Sequence, residues 1–227
     1  MSGFFITGTD TDSGKTLITL ALMNKLQQAG LSVNAMKPVA AGVTYFEQGD
    51  LNEDAFLLQL QSRPEPDYEL LNPYLFEPAI APHIAARQKE IMISLDVIRQ
   101  SYEMLTKQSA ITMVEGAGGW LVPLNENVDV ADLPVYLNLP VILVVGLKLG
   151  CLNHARLTME SIGSKGCKLV GWVGTQVDSR MSHVDENIET LIEYLDAPCL
   201  GVVPYLFEAD AQKAAEYLSI DLLVKEE

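Results

Sequence analysis

Basic residues are scarce in this sequence. Its 15 lysines and arginines face 30 aspartates and glutamates, which gives a net charge of −15 at neutral pH. An acidic surface repels nucleic-acid backbones and anionic lipid headgroups. We therefore expect no nucleic-acid partner and no membrane partner. Any phosphate-binding site must rely on local donors that act against an unfavourable overall field.

Cysteines and long apolar runs are scarce too. The three cysteines, Cys151, Cys167 and Cys199, are far apart and show no Cys-x-x-Cys spacing, so we expect reduced thiols and no disulfide framework. No apolar run is long enough to span a membrane, and no basic and apolar leader precedes the first predicted strand. These features predict a cytoplasmic protein.

Hydrophobic residues make up 48% of the 227 residues, enough for a large core in one α/β domain over residues 1–227. Apolar runs predict strands at residues 4–7, 33–37, 111–115, 141–145, 169–173 and 200–203. Helical patterns lie between them at residues 15–29, 50–61, 95–108, 152–164 and 185–195. This alternation predicts a mainly parallel sheet flanked by helices. The proline-rich residues 63–84 break the rhythm and predict a long ordered excursion.

The segment from Gly8 to Thr16, Gly-Thr-Asp-Thr-Asp-Ser-Gly-Lys-Thr, carries most of the functional information. It follows a predicted strand and opens a predicted helix, which is the setting of a phosphate-binding loop. Free N–H groups at the start of a helix favour bound anions. Lys15 would add a charge near the terminal phosphates, and Thr16 would offer a hydroxyl to Mg²⁺. The two glycines enclose five residues, where the usual spacing has four.

Two charged residues end predicted strands beside this loop. Lys37 ends the second strand, where it is either a solvated cap or a second phosphate contact. Glu115 ends the third strand and precedes Gly116-Ala-Gly-Gly119, a placement that favours a Mg²⁺ site over a surface acid. Since ligands gather beyond the carboxyl ends of parallel strands, these residues predict one shared site.

Other polar residues support weaker interpretations. Asp54 lies in an acidic cluster that is explained by a helix N-terminus, with a metal ligand as the alternative. Lys148 follows a predicted strand and is a candidate to bind substrate or phosphate. For Asn153, an ordinary helix-capping role is the alternative to substrate binding. The three histidines show no metal-ligand spacing and no nucleophile motif, so structural roles are expected.

Several motifs together resemble the dethiobiotin synthetase family of biotin biosynthesis. The shared stretches are Gly8 to Thr11, Gly14 to Thr16, Lys37-Pro-Val-Ala, Asn72-Pro-Tyr, Pro82-His83, and residues 114–120, 140–146 and 148–155. The resemblance runs in order along essentially the whole chain, and the five-residue loop is typical of that family. It implies a single P-loop NTPase-like domain, a homodimer, ATP as co-substrate and Mg²⁺ as cofactor.

The resemblance also implies a reaction. One amine of 7,8-diaminononanoate captures CO₂, or its source bicarbonate, as a carbamate. The carbamate oxygen takes the γ-phosphoryl group of ATP, and the neighbouring amine then closes the ureido ring and expels phosphate. Because the ring closure is intramolecular, correct placement lowers its barrier by several kcal/mol, on the order of 7 or more.

Carried over by position, the resemblance assigns roles to particular residues. Lys37, Lys15 and Thr11 would be catalytic, and Thr16, Asp54 and Glu115 would hold the metal. The nucleotide would contact Asp12, Ser13, Gly14, Lys15, Thr16, Glu115, Gly118, Thr175, Gln176, Pro204, Tyr205 and Leu206. The substrate would contact Ala41, Lys148, Leu152 and Asn153, of which Leu152 and Asn153 would act across a homodimer interface.

Two departures from the family pattern affect the expected binding of substrate and nucleotide. Ala41 stands where a serine is expected to touch substrate, so one hydrogen bond of about 1 kcal/mol is lost. Thr175 stands where an asparagine is expected to read the base, so either nucleotide selectivity is relaxed or Gln176 takes over. Asp12 replaces a frequent glutamate.

Two other classes of function remain as alternatives. A cobyrinate amidase-like ligase would carry a glutaminase domain with a catalytic cysteine, and the cysteines here lack that context. A dimeric partitioning or switch ATPase would place a lysine early in its loop, where this chain has Asp10.

Overall fold

Strands and helices alternate throughout the residues that the computed structural model describes, which are 3–47 and 49–224. The strands are β1 (Gly3–Gly8), β2 (Val33–Met36), β3 (Val39–Ala41), β4 (Thr44–Phe46), β5 (Gly49–Leu51), β6 (Tyr74–Phe76), β7 (Ile111–Glu115), β8 (Val141–Leu147), β9 (Leu169–Gln176) and β10 (Cys199–Val203). The helices are α1 (Lys15–Gln28), α2 (Glu53–Gln61), α3 (Tyr68–Leu71), α4 (Pro82–Gln88), α5 (Leu95–Thr106), α6 (Asp132–Leu137), α7 (Cys151–Ser164), α8 (Val184–Tyr194) and α9 (Ala211–Glu216).

A six-stranded parallel sheet, in the order β10-β9-β8-β1-β7-β2, forms the centre of the fold. Alternate residues of β1 face opposite sides: Phe4 and Ile6 belong to one hydrophobic cluster, and Phe5 belongs to another. Helices cover both faces, which explains why β1, β7 and β8 are buried along their whole length. The predicted α/β fold with a mainly parallel sheet is confirmed.

Helix α1 leaves the central strand and packs on the sheet. Its buried Ile18, Leu22 and Leu26 recur every four residues and so form one apolar stripe. Because α1 begins one residue after Gly14, this packing fixes the position of the loop that joins β1 to α1. That loop lies at the carboxyl edge of the sheet.

Several predicted boundaries need correction. The helix predicted at residues 50–61 begins at Glu53, because Asp50 and Leu51 pair with β4 in a short antiparallel hairpin. The Asn52 side chain caps α2 by accepting a hydrogen bond from the Ala55 N–H at 3.2 Å. Strand β2 ends at Met36, so Lys37 lies one residue beyond it.

The capping role considered for Asn153 is wrong. The cap of α7 is Gly150, which has a left-handed backbone and makes no side-chain capping bond.

The proline-rich residues 63–84 are ordered, as predicted, although their elements were not foreseen. They contain α3 and β6, and β6 pairs with β3 in a second small parallel sheet. These elements are three or four residues long, too short for a periodic pattern to reveal.

No helix among the described residues is both long enough and apolar enough to cross a lipid bilayer.

We predict that Leu22→Ala destabilises the fold by about 2–5 kcal/mol, because Leu22 is fully buried between α1 and the sheet. Chemical denaturation of both proteins measures the change. Ile192→Ala is the matched control, since Ile192 is 57% exposed on α8 and its loss should cost only about 0.5 kcal/mol. Equal losses for the two variants would contradict the packing described here.

Candidate active site

Two glycines make the turn between β1 and α1 possible. Gly14 has φ +88°, and a Cβ there would lie 2.8 Å from Cγ2 of Thr175. A Cβ on Gly8 would lie 2.2 Å from Oγ of Ser13. Side chains at either position would force the loop open. The turn therefore holds the first N–H groups of α1 at the surface, where an anion can meet them.

Strand β8 supports this loop from one side. The Thr9 N–H donates to the Val144 carbonyl at 3.0 Å, and the Gly146 N–H donates to Oγ1 of Thr9 at 3.3 Å. A Cβ on Gly146 would lie 3.1 Å from Cα of Ser13. The absence of a side chain at Gly146 therefore lets the loop pack closely on the end of the sheet.

A buried ion cluster lies beside the loop. Nζ of Lys37 is 2.6 Å from Oε1 of Glu115 and 3.0 Å from Oδ2 of Asp54. Oγ1 of Thr16 donates to the same Glu115 oxygen at 3.0 Å. Glu115 is fully buried, Lys37 is nearly so, and the Asp54 side chain is 44% exposed. The structure therefore brings the three residues predicted to hold the metal into one cluster with Lys37.

The cluster shifts the pKa values of its members. Burial alone would lower the pKa of Lys37, but the charges and hydrogen bonds of Glu115 and Asp54 outweigh it and raise the pKa above 10.5. This ion pairing stabilises the folded state below pH 10.5 and is lost as the pH rises through the raised value. Burial would raise the pKa of Asp54, yet Lys37 and Thr16 hold it below its ordinary value.

Lys15 lies in the same cleft. Its ammonium group donates to the Asp10 carbonyl at 2.9 Å. Burial lowers the pKa of Lys15, the Glu115 charge opposes this, and the nearby Lys37 charge adds to it. The cleft has a volume of about 260 Å³ and is lined by Thr11, Asp12, Gly14, Lys15, Thr16, Leu17, Lys37, Asp54 and Gly118.

The oxygen donors here fit a magnesium ion. Two carboxylates and one hydroxyl, from Asp54, Glu115 and Thr16, are the hard ligands that Mg²⁺ prefers beside substrate phosphates. Among the described residues, no group of three or more His, Cys, Asp or Glu side chains forms a metal cage. A site with few protein ligands suits Mg²⁺, which keeps several waters.

A second cavity, of about 320 Å³, adjoins the first and shares Thr11 with it. It is lined by Thr9, Asp10, Thr11, Gly119, Trp120, Leu121, Val122, Leu157, Thr158 and Ser161. The Trp120 indole N–H donates to Ser161 Oγ at 3.1 Å. Lys148 forms an ion pair of 2.9 Å with Asp10 at the cavity's edge. A second reactant placed here would lie next to the lysine-lined cleft.

The residues predicted near the base are the last two of β9 and the three that follow β10. Thr175 is buried against Gly14, and its Oγ1 makes no hydrogen bond within the described part of the chain. Oε1 of Gln176 accepts the Tyr205 N–H at 3.3 Å. Pro204, Tyr205 and Leu206 come directly after β10, which pairs with β9. The four side chains at positions 176 and 204–206 therefore lie along one edge of the site.

All four predicted substrate residues lie outside both cavity linings, and only Lys148 reaches one of them, through its ion pair with Asp10. Ala41 ends β3 and packs against a hydrophobic cluster. Leu152 is partly buried, and Asn153 is exposed in the first turn of α7. Within a single chain these residues do not meet Lys15 and Lys37 in one cavity.

The residue patterns missed two side chains that support the cluster. Asn72 donates to the Lys37 carbonyl at 2.6 Å, and Thr19 donates to Oε2 of Glu115 at 2.8 Å. Thr19 lies three residues after Thr16 on α1, so helical spacing could have placed both hydroxyls on one face. The contact of Asn72 joins distant segments and has no local signal.

A cavity of about 570 Å³, larger than the two described above, lies elsewhere. It is lined by residues from two segments, 83–92 and 124–128. None of its lining residues belongs to the loop or the ion cluster. We place the candidate site by its converging charges, because catalysis requires positioned charge and volume alone provides none.

Comparison with known proteins finds relatives along nearly the whole chain. A family described as an AAA domain matches residues 2–213. The ATP-dependent dethiobiotin synthetase BioD of Cellvibrio japonicus is 49% identical over 221 residues, covering 97% of each chain. The synthetase of the same name from Chromohalobacter salexigens is 47% identical over 233 residues, covering 97% of this chain and 98% of that one.

The chain belongs to the dethiobiotin synthetase family. It is an enzyme of the ATP-dependent ligase class, as predicted.

Similar solved structures show the fold alone. The MinC:MinD cell division complex of Aquifex aeolicus aligns with a TM-score of 0.55 at 12% identity, covering 93% of this chain and 85% of that one. The signal recognition particle receptor FtsY of Elizabethkingia anophelis, in complex with GDP, aligns with a TM-score of 0.54 at 14% identity, covering 99% and 64%. The P-loop NTPase-like fold is confirmed.

We predict that Lys37→Met destabilises the protein by about 3–5 kcal/mol, because the buried Glu115 carboxylate loses its counter-ion. Denaturant titration without nucleotide measures the change. Lys89→Met is the control, since Lys89 pairs with Glu77 at 3.7 Å on the surface and should contribute about 0–1 kcal/mol. A loss for Lys37→Met no larger than the control's would show that the buried pair contributes little.

Proposed function

We propose that the chain makes dethiobiotin from 7,8-diaminononanoate, CO₂ and ATP, releasing ADP and phosphate. One observation supports this most directly: Lys15, Lys37, Asp54 and Glu115 converge beside a phosphate-binding turn, and a second cavity adjoins that cleft through Thr11. Membership of the dethiobiotin synthetase family supports this choice of substrates.

The reaction has three balanced steps. An unprotonated amine of the substrate adds to CO₂ and loses a proton, which forms a carbamate. A carbamate oxygen attacks the γ-phosphorus of ATP, the bond to the β-γ bridging oxygen breaks, and ADP leaves. The unprotonated second amine attacks the carbamoyl carbon of the mixed anhydride and loses a proton, and phosphate leaves as the ureido ring closes. Holding the second amine near this carbon makes the last step intramolecular, worth roughly 7–11 kcal/mol.

The two lysines act on the transferring phosphoryl group. The N–H groups around Ser13 and Gly14 bind phosphate at the start of α1. Lys15 neutralises charge on the terminal phosphates. Lys37, held between two carboxylates, presents its ammonium to the carbamate and to the γ-phosphoryl oxygens as charge develops there. Asp12 and Thr11 border the same cleft and orient the nucleotide and the carbamate.

Magnesium completes this assignment. Thr16, Asp54 and Glu115 would hold Mg²⁺, which would neutralise phosphate charge when bound. The Lys37 ammonium contacts both carboxylates and neutralises one of their two negative charges, and a bound cation would offset the other.

The remaining assigned residues select the reactants. Gly118, Thr175, Gln176 and the segment 204–206 contact the nucleotide. Ala41 and Lys148 contact the diamine substrate, while Leu152 and Asn153 reach its carboxylate tail from the second subunit of a homodimer. The exposure of Asn153 leaves it free to meet another chain. The proposal includes a single domain over residues 1–227 and a cytoplasmic location.

We expect the purified protein to convert diaminononanoate, ¹³C-bicarbonate and Mg-ATP into a cyclic urea that carries one labelled carbon. Mass spectrometry detects the product, and ADP release should match it one to one.

Lys37→Ala should still bind ATP but lose turnover by roughly 100-fold or more, because transition-state charge is no longer stabilised. ADP release without the cyclic urea would point to another ligase, and full turnover of Lys37→Ala would reject its role.

We also expect relaxed nucleotide selectivity. Thr175 lacks the amide that can pair both a donor and an acceptor with adenine, a contact worth about 1–3 kcal/mol. Steady-state kinetics with ATP, CTP and GTP should show a preference below roughly 100-fold, and Thr175→Asn should increase it about tenfold. Gln176→Leu tests the alternative, in which Gln176 recognises the base in place of Thr175. A preference of several orders of magnitude in the unaltered protein contradicts relaxed selectivity.

A further inference from the structure

We propose that Thr19 is a positioning residue that aims the Glu115 carboxylate at Lys37 and at the metal site. Both residues are fully buried, and Oγ1 of Thr19 donates to Oε2 of Glu115 at 2.8 Å. Thr19 lies one turn beyond the phosphate-binding turn, on α1, and Glu115 ends β7. The inference rests on the proposed function and adds a residue that the motifs do not single out.

The two oxygens of Glu115 have different partners. Oε1 contacts Lys37 and Thr16, whereas Oε2 contacts Thr19. The terminal torsion of a glutamate is broad, so a carboxylate held from one side only can rotate. With Thr19 on Oε2, rotation breaks a buried hydrogen bond, and Oε1 stays directed at Lys37. The hydroxyl therefore selects one orientation of the acid.

The proton of Thr19 has two acceptors within reach. Oγ1 is 2.8 Å from the carbonyl of Lys15, the usual partner of a helical threonine one turn later, and 2.8 Å from Glu115. A hydroxyl has one proton, and an ionised carboxylate is the stronger acceptor. The proton of Thr19 therefore goes to Glu115, so the hydrogen bond holds the acid against α1.

Thr19 acts only through Glu115. It lines neither the 260 Å³ cleft nor the 320 Å³ cavity, and none of its surface reaches solvent. It therefore touches neither nucleotide nor diamine. Side chains that orient a metal-binding residue typically change metal affinity or activity by about 10–100-fold when removed.

The test compares Thr19→Val, which removes the hydroxyl at constant shape, with Thr19→Ser, which keeps it. Thr112→Val is the matched control, because Thr112 is also fully buried and donates to Oδ1 of Asn34 at 2.8 Å, away from the cleft. Three quantities are measured: the melting temperature, the Mg²⁺ dependence of ADP binding by calorimetry without turnover, and kcat and KM for Mg-ATP.

We expect Thr19→Val to need roughly 10–100-fold more Mg²⁺ for half-maximal ADP binding and to lose kcat to a similar extent. The Mg²⁺ requirement of Thr19→Ser should stay within about threefold of that of the unaltered protein. Thr112→Val should melt at a lower temperature, while its Mg²⁺ requirement should be unchanged. If Thr19→Val does not fold, Thr19→Cys replaces it, since a thiol is a weak donor, and the same increase in Mg²⁺ requirement is expected.

Two results would overturn the proposal. One is a Mg²⁺ requirement of Thr19→Val, or of the cysteine variant in its place, that equals that of Thr112→Val. The other is a serine variant as impaired as the valine variant, which would show that packing and not the hydroxyl matters. The unaltered protein's formation of the cyclic urea tests the proposed function separately, because the calorimetric comparison requires no product.

Discussion

The contact between Lys37 and the fully buried Glu115 is the constraint on which the site depends. A lone carboxylate in the interior is very costly, so its position is tolerable only with an ammonium and hydroxyl donors around it. Those donors come from two separate segments: Lys37 lies just after β2, and Thr16 and Thr19 lie on α1. Each must be placed to within a few tenths of an ångström, which requires the whole sheet.

The strand order provides that placement. Strand β1 lies between β7 and β8, so its loop emerges between the strand that carries Glu115 and the strand that supports Thr9. Strand β2 pairs with β7 in parallel, which brings Lys37 beside Glu115. The crossover connections that make such a sheet also put every ligand-facing residue at one edge. The order of the strands therefore sets the positions of the residues that form the site.

Similarity of fold and similarity of sequence carry different information here. The structures of MinD and FtsY share the architecture at 12–14% identity and say nothing of the substrate. Relatives that are 47–49% identical over nearly the whole chain establish the family. The second cavity, which shares Thr11 with the phosphate cleft, is the feature that suits a two-substrate ligase.

The sequence by itself determined the parallel sheet and the glycine-bearing turn, and it predicted that Lys15, Lys37 and Glu115 share one site, because apolar periodicity and strand-end polarity are local signals. It gave a metal-ligand role of Asp54 only as the weaker of two interpretations, and it did not reveal the hydrogen bond from Thr19 to Glu115. Tertiary structure alone decided these, since contacts such as Lys37 with Asp54 and Thr19 with Glu115 join residues 17 and 96 positions apart. Such contacts depend on which strands and helices lie side by side, and the periodicity within one element does not show its neighbours.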